Sequence, residues 1–372
     1  MRILIIIPLP FWHPETMVLI KLLQKNKFEV TALDIFNGFY YTPDDRVKSI
    51  LPSIFSGFLK KVALRCFRKQ LLKQFVRKSD VVDIQFVDSN YSRLINQLPD
   101  NLICTLFGSD LFRTSEKEKK DQSLLFEKAK KIVLSNNMVP YFNDHFTVEN
   151  SKFFFTQYGS SKLSKIKSLK TDERINAIKL KRNIPLNKIV ISCGYNSKEA
   201  QQHLHLINEL TKLNSAMKDS IYLIFPMTYG ECAMSYQEAV KDCLNLSEIK
   251  YLMLTDHLSE DDYIDYKIIS DITINTQTTD ALASSIKEAF VGGEVVLLAE
   301  WLPYDIYENI GLYYKKINFS NLATTLSDSI NAFESEKLKA KNNAEIIYNF
   351  SAWEIIIHQW ITLYSSFNYG SK

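Results

Sequence analysis

Apolar positions along the chain gather in two kinds of run. Short β-branched blocks such as ILIIIP (3–8), VVDIQFV (81–87), NLICTLFG (101–108), IYLIFPM (221–227), DITINTQ (271–277) and EVVLLA (294–299) have the continuous hydrophobicity of strands buried on both faces of a parallel sheet. Between them, MVLIKLLQKN (17–26), SLLFEKAK (123–130), YQEAVKDCLNL (236–246) and DDYIDYKIIS (261–270) space their apolar residues by three and four, which predicts helices. Strand and helix alternate, the grammar of a doubly wound α/β fold. The pattern loosens over the Ser- and Lys-rich residues 160–188, read as a linker with a short helix, and a second series opens at KIVISCGYN (188–196). The tail YNFSAWEIIIHQWITLYSSF (348–367) predicts an amphipathic helix rich in aromatics.

The expected organisation is therefore two Rossmann-like domains facing across a cleft, 1–180 and 181–347. Residues 348–372 form a terminal helix that crosses back to the first domain, with packing on its own domain as the alternative. A length of 372 residues suits two domains. The run that opens MRILIIIPLP is too short for a signal peptide and has no small-residue cleavage site, and no stretch reaches the about 18 apolar residues of a membrane span. Five cysteines without paired metal spacing read as free thiols in a reducing compartment, so a cytoplasmic protein is expected.

The formal charge of +3 hides an asymmetry. Residues 54–78 hold eight Lys and Arg and no acid, which leaves the remainder of the chain at −5. Phe55, Phe58, Leu59, Val62, Cys66, Leu71 and Phe75 recur there at helical spacing. Such a helix can lie on an anionic membrane surface, where each cation contributes about 1 kcal/mol; its alternative is a helix on the sheet with solvated charges. A nucleic-acid track is disfavoured by the acidic remainder of the chain. The first strand is followed by PLPFWHPET rather than G-x-G-x-x-G, which argues against a dinucleotide-dependent dehydrogenase.

Ligands of open α/β sheets sit beyond the carboxyl ends of the strands, so the loops after strands carry the candidate chemistry. In TQTTDALASSIKEAF (276–290), Thr278, Thr279 and Asp280 are possible N-caps of a helix whose exposed amides form an anion site. Ala281, Ala283, Ser284 and Ser285 are small enough to admit a diphosphate. Glu288, about two turns in, can accept the hydroxyls of a ribose, and Asp280 those of a sugar. The plainer alternative is a capping aspartate and a solvated glutamate. The acids of Glu260-Asp261-Asp262 read as caps and a solvated face, and no metal site is implied.

Asp280-x7-Glu288, followed by AFVGGEVVLL, resembles the E-x7-E segment of retaining GT-B glycosyltransferases of the GT4 type, with aspartate in place of the first glutamate. That resemblance implies a metal-independent sugar transferase in which Glu288 binds the nucleotide ribose and Asp280 touches the donor sugar. FGSDLFRTS (107–115) is similar to the first-lobe segment of the family, with Gly108, Ser109 and Asp110 matching and Phe107 where histidine is common. ISCGYNSKEAQQH (191–203) resembles the start of the second lobe, which puts Tyr195, Asn196, Lys198 and His203 at the donor. PMTYGECAMSYQEAV (226–240), with Thr228, Tyr229 and Gly230, looks like bacterial polysaccharide transferases, including the TDP-Fuc4NAc–lipid transferase family, an inverting group.

The implied donor is a nucleotide-sugar and the implied acceptor a saccharide or a polyprenyl-diphosphate-linked sugar at the inner face of a cell membrane, in surface-polysaccharide synthesis. An inverting enzyme needs a general base, for which Asp110 ranks ahead of Asp88 and His13. A retaining one can pass the proton to the leaving phosphate, and both outcomes stay open. So does a non-catalytic relative that binds nucleotide-sugar.

Overall fold

The computed structural model describes residues 1–7, 14–42, 46–52, 57–280 and 282–367. His13, Ala281 and residues 54–56, named above, lie outside them. Two compact units divide the chain: Met1–Gly159 with Trp353–Lys372, and Ser160–Ala352. The division falls at 159/160 and 352/353, whereas the sequence pattern predicted 180/181 and 347/348. The predicted linker is instead folded into the second unit. Leu163 and Ile166 of the helix Leu163–Leu169 and Ile178 of the helix Asp172–Lys181 are buried in that unit's core.

The first unit is built on β1 (Arg2–Ile6), β2 (Glu29–Asp34), β3 (Phe39–Tyr41), β4 (Val47–Ser49), β5 (Val81–Gln85), β6 (Leu102–Thr105), β7 (Lys131–Leu134) and β8 (Phe153–Phe155). Their order is β4-β3-β2-β1-β5-β6-β7-β8, parallel except for β3 and β4, a short antiparallel extension at the edge. The helix Pro14–Lys25 buries Leu19, Ile20 and Leu23 in one core cluster with Trp353, Ile356, Ile357, Trp360, Leu363 and Tyr364 of the last helix, Trp353–Ser365. The Trp353 indole donates to Glu15 at 2.6 Å, and the Trp360 indole donates to the Gln157 carbonyl at 3.1 Å. Gly159 lies so close that a Cβ there would meet the Trp353 ring at 2.6 Å, a distance that excludes any side chain.

A carboxylate sits in the middle of this sheet. Asp83 of β5 is fully buried and accepts from the Tyr364 hydroxyl at 2.6 Å, the Thr105 hydroxyl at 2.8 Å and the Gln85 amide at 3.0 Å. Burial outweighs these three bonds and pushes its carboxyl up to about 6.

The second unit contains β9 (Ile189–Cys193), β10 (Ile221–Pro226), β11 (Tyr251–Leu254), β12 (Ile272–Asn275), β13 (Val295–Ala299) and β14 (Lys315–Ile317). All run parallel, in the order β11-β10-β9-β12-β13-β14. The chain winds outward from β9 in one direction and from β12 in the other, so a topological switch lies between these two central strands. Alternate residues of β10 face opposite core clusters, Tyr222 and Ile224 on one side and Ile221, Leu223 and Phe225 on the other. Both faces of the sheet are therefore covered, as its unbroken apolar strands require.

The buried Asp83 gives a test of the first unit. Between about pH 4, where an unfolded aspartate titrates, and pH 6, the folded chain keeps a proton that the unfolded chain releases. Its contribution thus favours folding most below pH 4 and is lost as pH rises through 6. Tyr364→Phe removes a bond to a charged group, worth ~1.5–3 kcal/mol. Urea unfolding followed by tryptophan fluorescence should show a deficit of that order near pH 7.5 that narrows at pH 5. An equal deficit at both pH values would mean that packing alone was lost.

Candidate functional site

The carboxyl ends of β9 and β12 are tied into one surface. β9 runs into Gly194, whose φ of +71° and amide bond to the Ile274 carbonyl at 2.9 Å turn the chain across the end of β12. A Cβ at Gly194 would lie 2.7 Å from the Gln201 amide oxygen and 3.3 Å from His203 Nε2, so only glycine fits this turn. Thr278 N–H donates to the Ala200 carbonyl at 2.8 Å, and the Gln202 amide donates to the Thr276 carbonyl at 2.6 Å. The β10 loop joins through Ser197, whose N–H and hydroxyl both donate to the Tyr229 carbonyl, at 2.8 and 2.9 Å.

Asp280 is held in this surface by three donors. Its Oδ2 accepts from the Tyr304 hydroxyl at 2.6 Å, the Tyr195 hydroxyl at 3.0 Å and the Asn275 amide at 3.1 Å. Burial, and next the Asp280 charge, push both phenols well above their ordinary range, so they stay protonated donors. Asp280 therefore does not cap a helix, contrary to the sequence expectation for Thr278–Asp280. The chain runs on through Leu282, at φ +56°, and the helix begins later, as Ser284–Val291 with Ala283 at the N-cap. No side chain caps its first turn, and Ala283 and Ser284 are only partly buried. This helix start follows the carboxyl end of β12 and carries the partial positive charge of a helix N-terminus.

The late start moves Glu288 to about one turn into the helix, rather than the two expected. Nor is it solvated. Glu288 is 1% exposed, accepts from the Tyr263 hydroxyl and from the Ser160 hydroxyl at 3.4 Å, and lies 4.0 Å from Lys267 Nζ. Lys267 in turn donates to the Ser285 hydroxyl at 2.6 Å and the Ser285 carbonyl at 3.0 Å, and burial lowers its pKa against the pull of Glu288. Tyr263 and Lys267, one helical turn apart on Glu260–Ile269, escaped the sequence reading; their spacing in DDYIDYKIIS was the available signal. The acids that open that helix are paired outward, Glu260 and Asp261 with Lys165, and Asp262 with Arg182.

Of the other predicted donor residues, Tyr195 and Asn196 are buried, and Asn196 Oδ1 accepts from the Lys198 N–H at 2.9 Å. Lys198 is exposed and lays its stem over Gly230, where a Cβ would sit 3.0 Å from Lys198 Cγ. Thr228 is half-buried, and Tyr229 and Gly230 are exposed on the same loop. Thr279 is half-buried beside Asp280. His203 is fully buried at the start of the helix His203–Leu210, with Nδ1 3.2 Å from the Tyr236 hydroxyl; burial lowers its pKa to about 4, so the ring is neutral.

Gly108, Ser109 and Asp110 belong to the first unit. Ser109 is exposed, and Gly108 takes a φ of +103° before the short helix Ser109–Phe112. Asp110 is 3% exposed, and its oxygens accept from the N–H groups of Val87 at 2.8 Å and of Phe107 and Gly108 at 2.9 Å. It fastens the loops after β5 and β6 to each other. A general base needs an oxygen within reach of the acceptor hydroxyl, and in this structure both oxygens of Asp110 accept from backbone amides. Burial pushes this carboxyl up to about 6 as well. Among the described residues, no group of three or more His, Cys, Asp and Glu side chains is placed to hold a metal ion.

No family model matches the sequence. No curated protein matches it either. Solved structures match along nearly the whole chain. A glycosyltransferase from Rickettsia africae superposes with a TM-score of 0.76 at 16% identity, covering 100% of this chain and 99% of its own. Sucrose-phosphate synthase from Thermosynechococcus elongatus gives 0.77 at 10% identity, covering 100% of both chains. Anabaena HepE, solved with UDP-glucose, gives 0.68 at 13% identity over 98% of this chain and 100% of that one. At such identities the likeness is one of architecture: two α/β units with parallel central sheets, the fold of GT-B glycosyltransferases.

Proposed function

We propose that this protein is a glycosyltransferase that takes its sugar from a nucleotide-sugar held at the carboxyl ends of β9 and β12. The observation that carries this reading is the uncapped helix start at Ser284, set at the switch point between Asp280 and the buried Glu288. An uncapped helix N-terminus there suits a diphosphate. Asp280, fixed by two tyrosines and an asparagine, is placed to accept hydroxyls of the donor sugar. Glu288 meets a ribose by exchanging its bond from Tyr263 for bonds from the sugar. Lys198 closes over the diphosphate from the β9 loop. HepE, which shares the fold, binds UDP-glucose, so a uridine nucleotide is the first donor to try.

In the transfer, the bond between the anomeric carbon and the diphosphate oxygen breaks, and a bond from the acceptor oxygen to that carbon forms. The electron pair leaves with the diphosphate, where helix amides and Lys198 stabilise the charge without a metal ion. The acceptor proton goes to that phosphate or to a base.

The acceptor, on this reading, is a saccharide or a polyprenyl-diphosphate-linked sugar at the inner face of a cell membrane, as in the synthesis of surface polysaccharides. The helix Gly57–Val76 supports this. Only Ala63, Leu64 and Leu72 are buried on it, while Phe58, Leu59, Val62 and Phe67 are 78%, 63%, 42% and 51% exposed among its cations. Exposed apolar side chains among cations, on a helix without a single acid, suit a surface of anionic lipid. None of the described helices is long and apolar enough to cross a membrane.

Ser284→Asp separates two effects of opposite sign. A negative charge in the first helical turn stabilises the helix by about 0.3–1 kcal/mol but repels a diphosphate. Thermal denaturation with UDP, TDP, GDP and CMP and their sugars should show one nucleotide stabilising the wild type. The variant should start from an equal or higher Tm and lose that response. Glu288→Gln, which keeps the side-chain shape, should weaken the response about tenfold; unchanged responses in both variants would refute the assigned donor site.

Vesicle flotation tests the acceptor side. Retention on phosphatidylglycerol vesicles should fall with added salt and fall further in Phe58→Ala/Phe67→Ala. Retention on DNA but not on vesicles would favour a nucleic-acid partner instead.

A further inference from the structure

A hollow in the first unit is lined by two arginines, Arg68 and Arg93. It measures about 400 Å³ and is lined by Phe36, Asn37, Arg68, Asp88, Asn90, Arg93 and Leu94. Phe36 and Asn37 follow β2, and Asp88 and Asn90 follow β5, so the hollow opens at the carboxyl edge of the sheet. In the strand order β2-β1-β5 it straddles the end of β1, where the winding of this sheet reverses.

Arg68 is the unexpected residue. It lies four positions from Leu64 and four from Leu72, on the face by which its helix packs, where a leucine would bury more apolar surface at less desolvation cost. Its guanidinium lies over the Phe36 ring at 4.6 Å, and its Nε is buried without a hydrogen-bond partner. Neither Arg68 nor Arg93 forms an ion pair among the described residues.

The acids nearby are already satisfied by amides. Asp34 accepts from the Phe36 and Asn37 N–H groups and from the Asn37 amide, at 2.7–3.1 Å. Asp88 accepts from the Asn90 N–H at 2.8 Å and its side-chain amide at 2.9 Å. Below, the Tyr91 hydroxyl is fully buried and has no partner. Burial lowers the Arg68 pKa, and so does repulsion from Arg65 and Arg93, against the opposing pull of Tyr91 and Asp34.

We infer that this hollow is an anion subsite in which Arg68 and Arg93 grip a phosphate or diphosphate group, with the rings and amides of Phe36, Asn37 and Asn90 against the group it carries. Guanidinium forks match phosphate oxygens in pairs, and an anion here relieves the repulsion among the three arginines. A volume of about 400 Å³ admits a sugar phosphate. The assignment of that ligand as the acceptor rests on the glycosyltransferase reading; the anion site itself does not.

Calorimetric titration with inorganic pyrophosphate tests the site. The background is full-length Ser284→Asp protein, whose donor helix repels phosphates. Arg93→Ala changes an exposed residue and should fold normally, with pyrophosphate affinity reduced about tenfold. Arg68→Lys, which keeps the charge but loses the fork, should reduce it in the same direction. Affinity equal to the parent in both variants overturns the proposal. A parallel UDP titration of wild type and Arg93→Ala should give equal affinities, since that site lies in the other unit. Failure of wild type to bind UDP while pyrophosphate binding still depends on Arg93 would refute the donor site and sustain this one.

Vesicles of phosphatidylcholine with phosphatidic acid, set against soluble pyrophosphate, distinguish the two sources of phosphate. Loss of vesicle binding in Arg93→Ala at unchanged pyrophosphate affinity overturns the subsite in favour of general surface charge.

Discussion

One carboxylate oxygen organises the candidate donor site. Asp280 Oδ2 draws the Tyr195 hydroxyl from the β9 loop, the Asn275 amide from the end of β12 and the Tyr304 hydroxyl from beyond β13. A half-buried carboxylate must find donors or lose its charge, and these three lie five to eighty-five residues away in sequence. Because Asp280 is committed to them, it is withdrawn from the helix it was expected to cap. The helix then starts at Ser284 without a side-chain cap. That cap is missing because the nearest capping residue is occupied elsewhere.

This explains which parts of the site the sequence disclosed. The strands were legible because a parallel sheet covered on both faces demands unbroken apolar runs, and ILIIIP, IYLIFPM and EVVLLA have no other use. Asp280 and Glu288 were legible as a pair through their spacing. The helix start was not, since threonine and aspartate are strong caps on local grounds and only the distant Tyr195 and Tyr304 override them. Residues 160–188 misled for the opposite reason: abundant Ser and Lys masked Leu163, Ile166 and Ile178, which are few but fully used in the core. Tyr263 and Lys267 were invisible because their roles depend on a partner, Glu288, contributed by another helix.

Perturbed carboxyls are common pointers to catalytic residues, and here two of them point elsewhere. Asp83 and Asp110 are both pushed up to about 6, both chiefly by burial. Both are held by several donors: Tyr364, Thr105 and Gln85 for one, three backbone amides for the other. Asp83 fixes the last helix to the first sheet, and Asp110 fixes two ligand-side loops to each other. Their shifts report the cost of burying such joints, so geometry has to be consulted before a titration is read as chemistry.

The helix Gly57–Val76 shows the same economy on a surface. Leu64, Arg68 and Leu72, four residues apart, lie on one packed face, while Lys61, Arg65 and Lys69 are exposed, as are Phe58 and Phe67. The outward cations act through bulk water, where attraction fades within about 10 Å and favours an extended charged surface over any one ligand. Arg68 is partly desolvated, and its attraction for a single phosphate is correspondingly stronger and more directional. Under the proposed membrane docking and anion subsite, this one element would serve both a lipid surface and a single phosphate group. Two such tasks call for different dielectric surroundings, which exposed and partly buried positions of one helix supply.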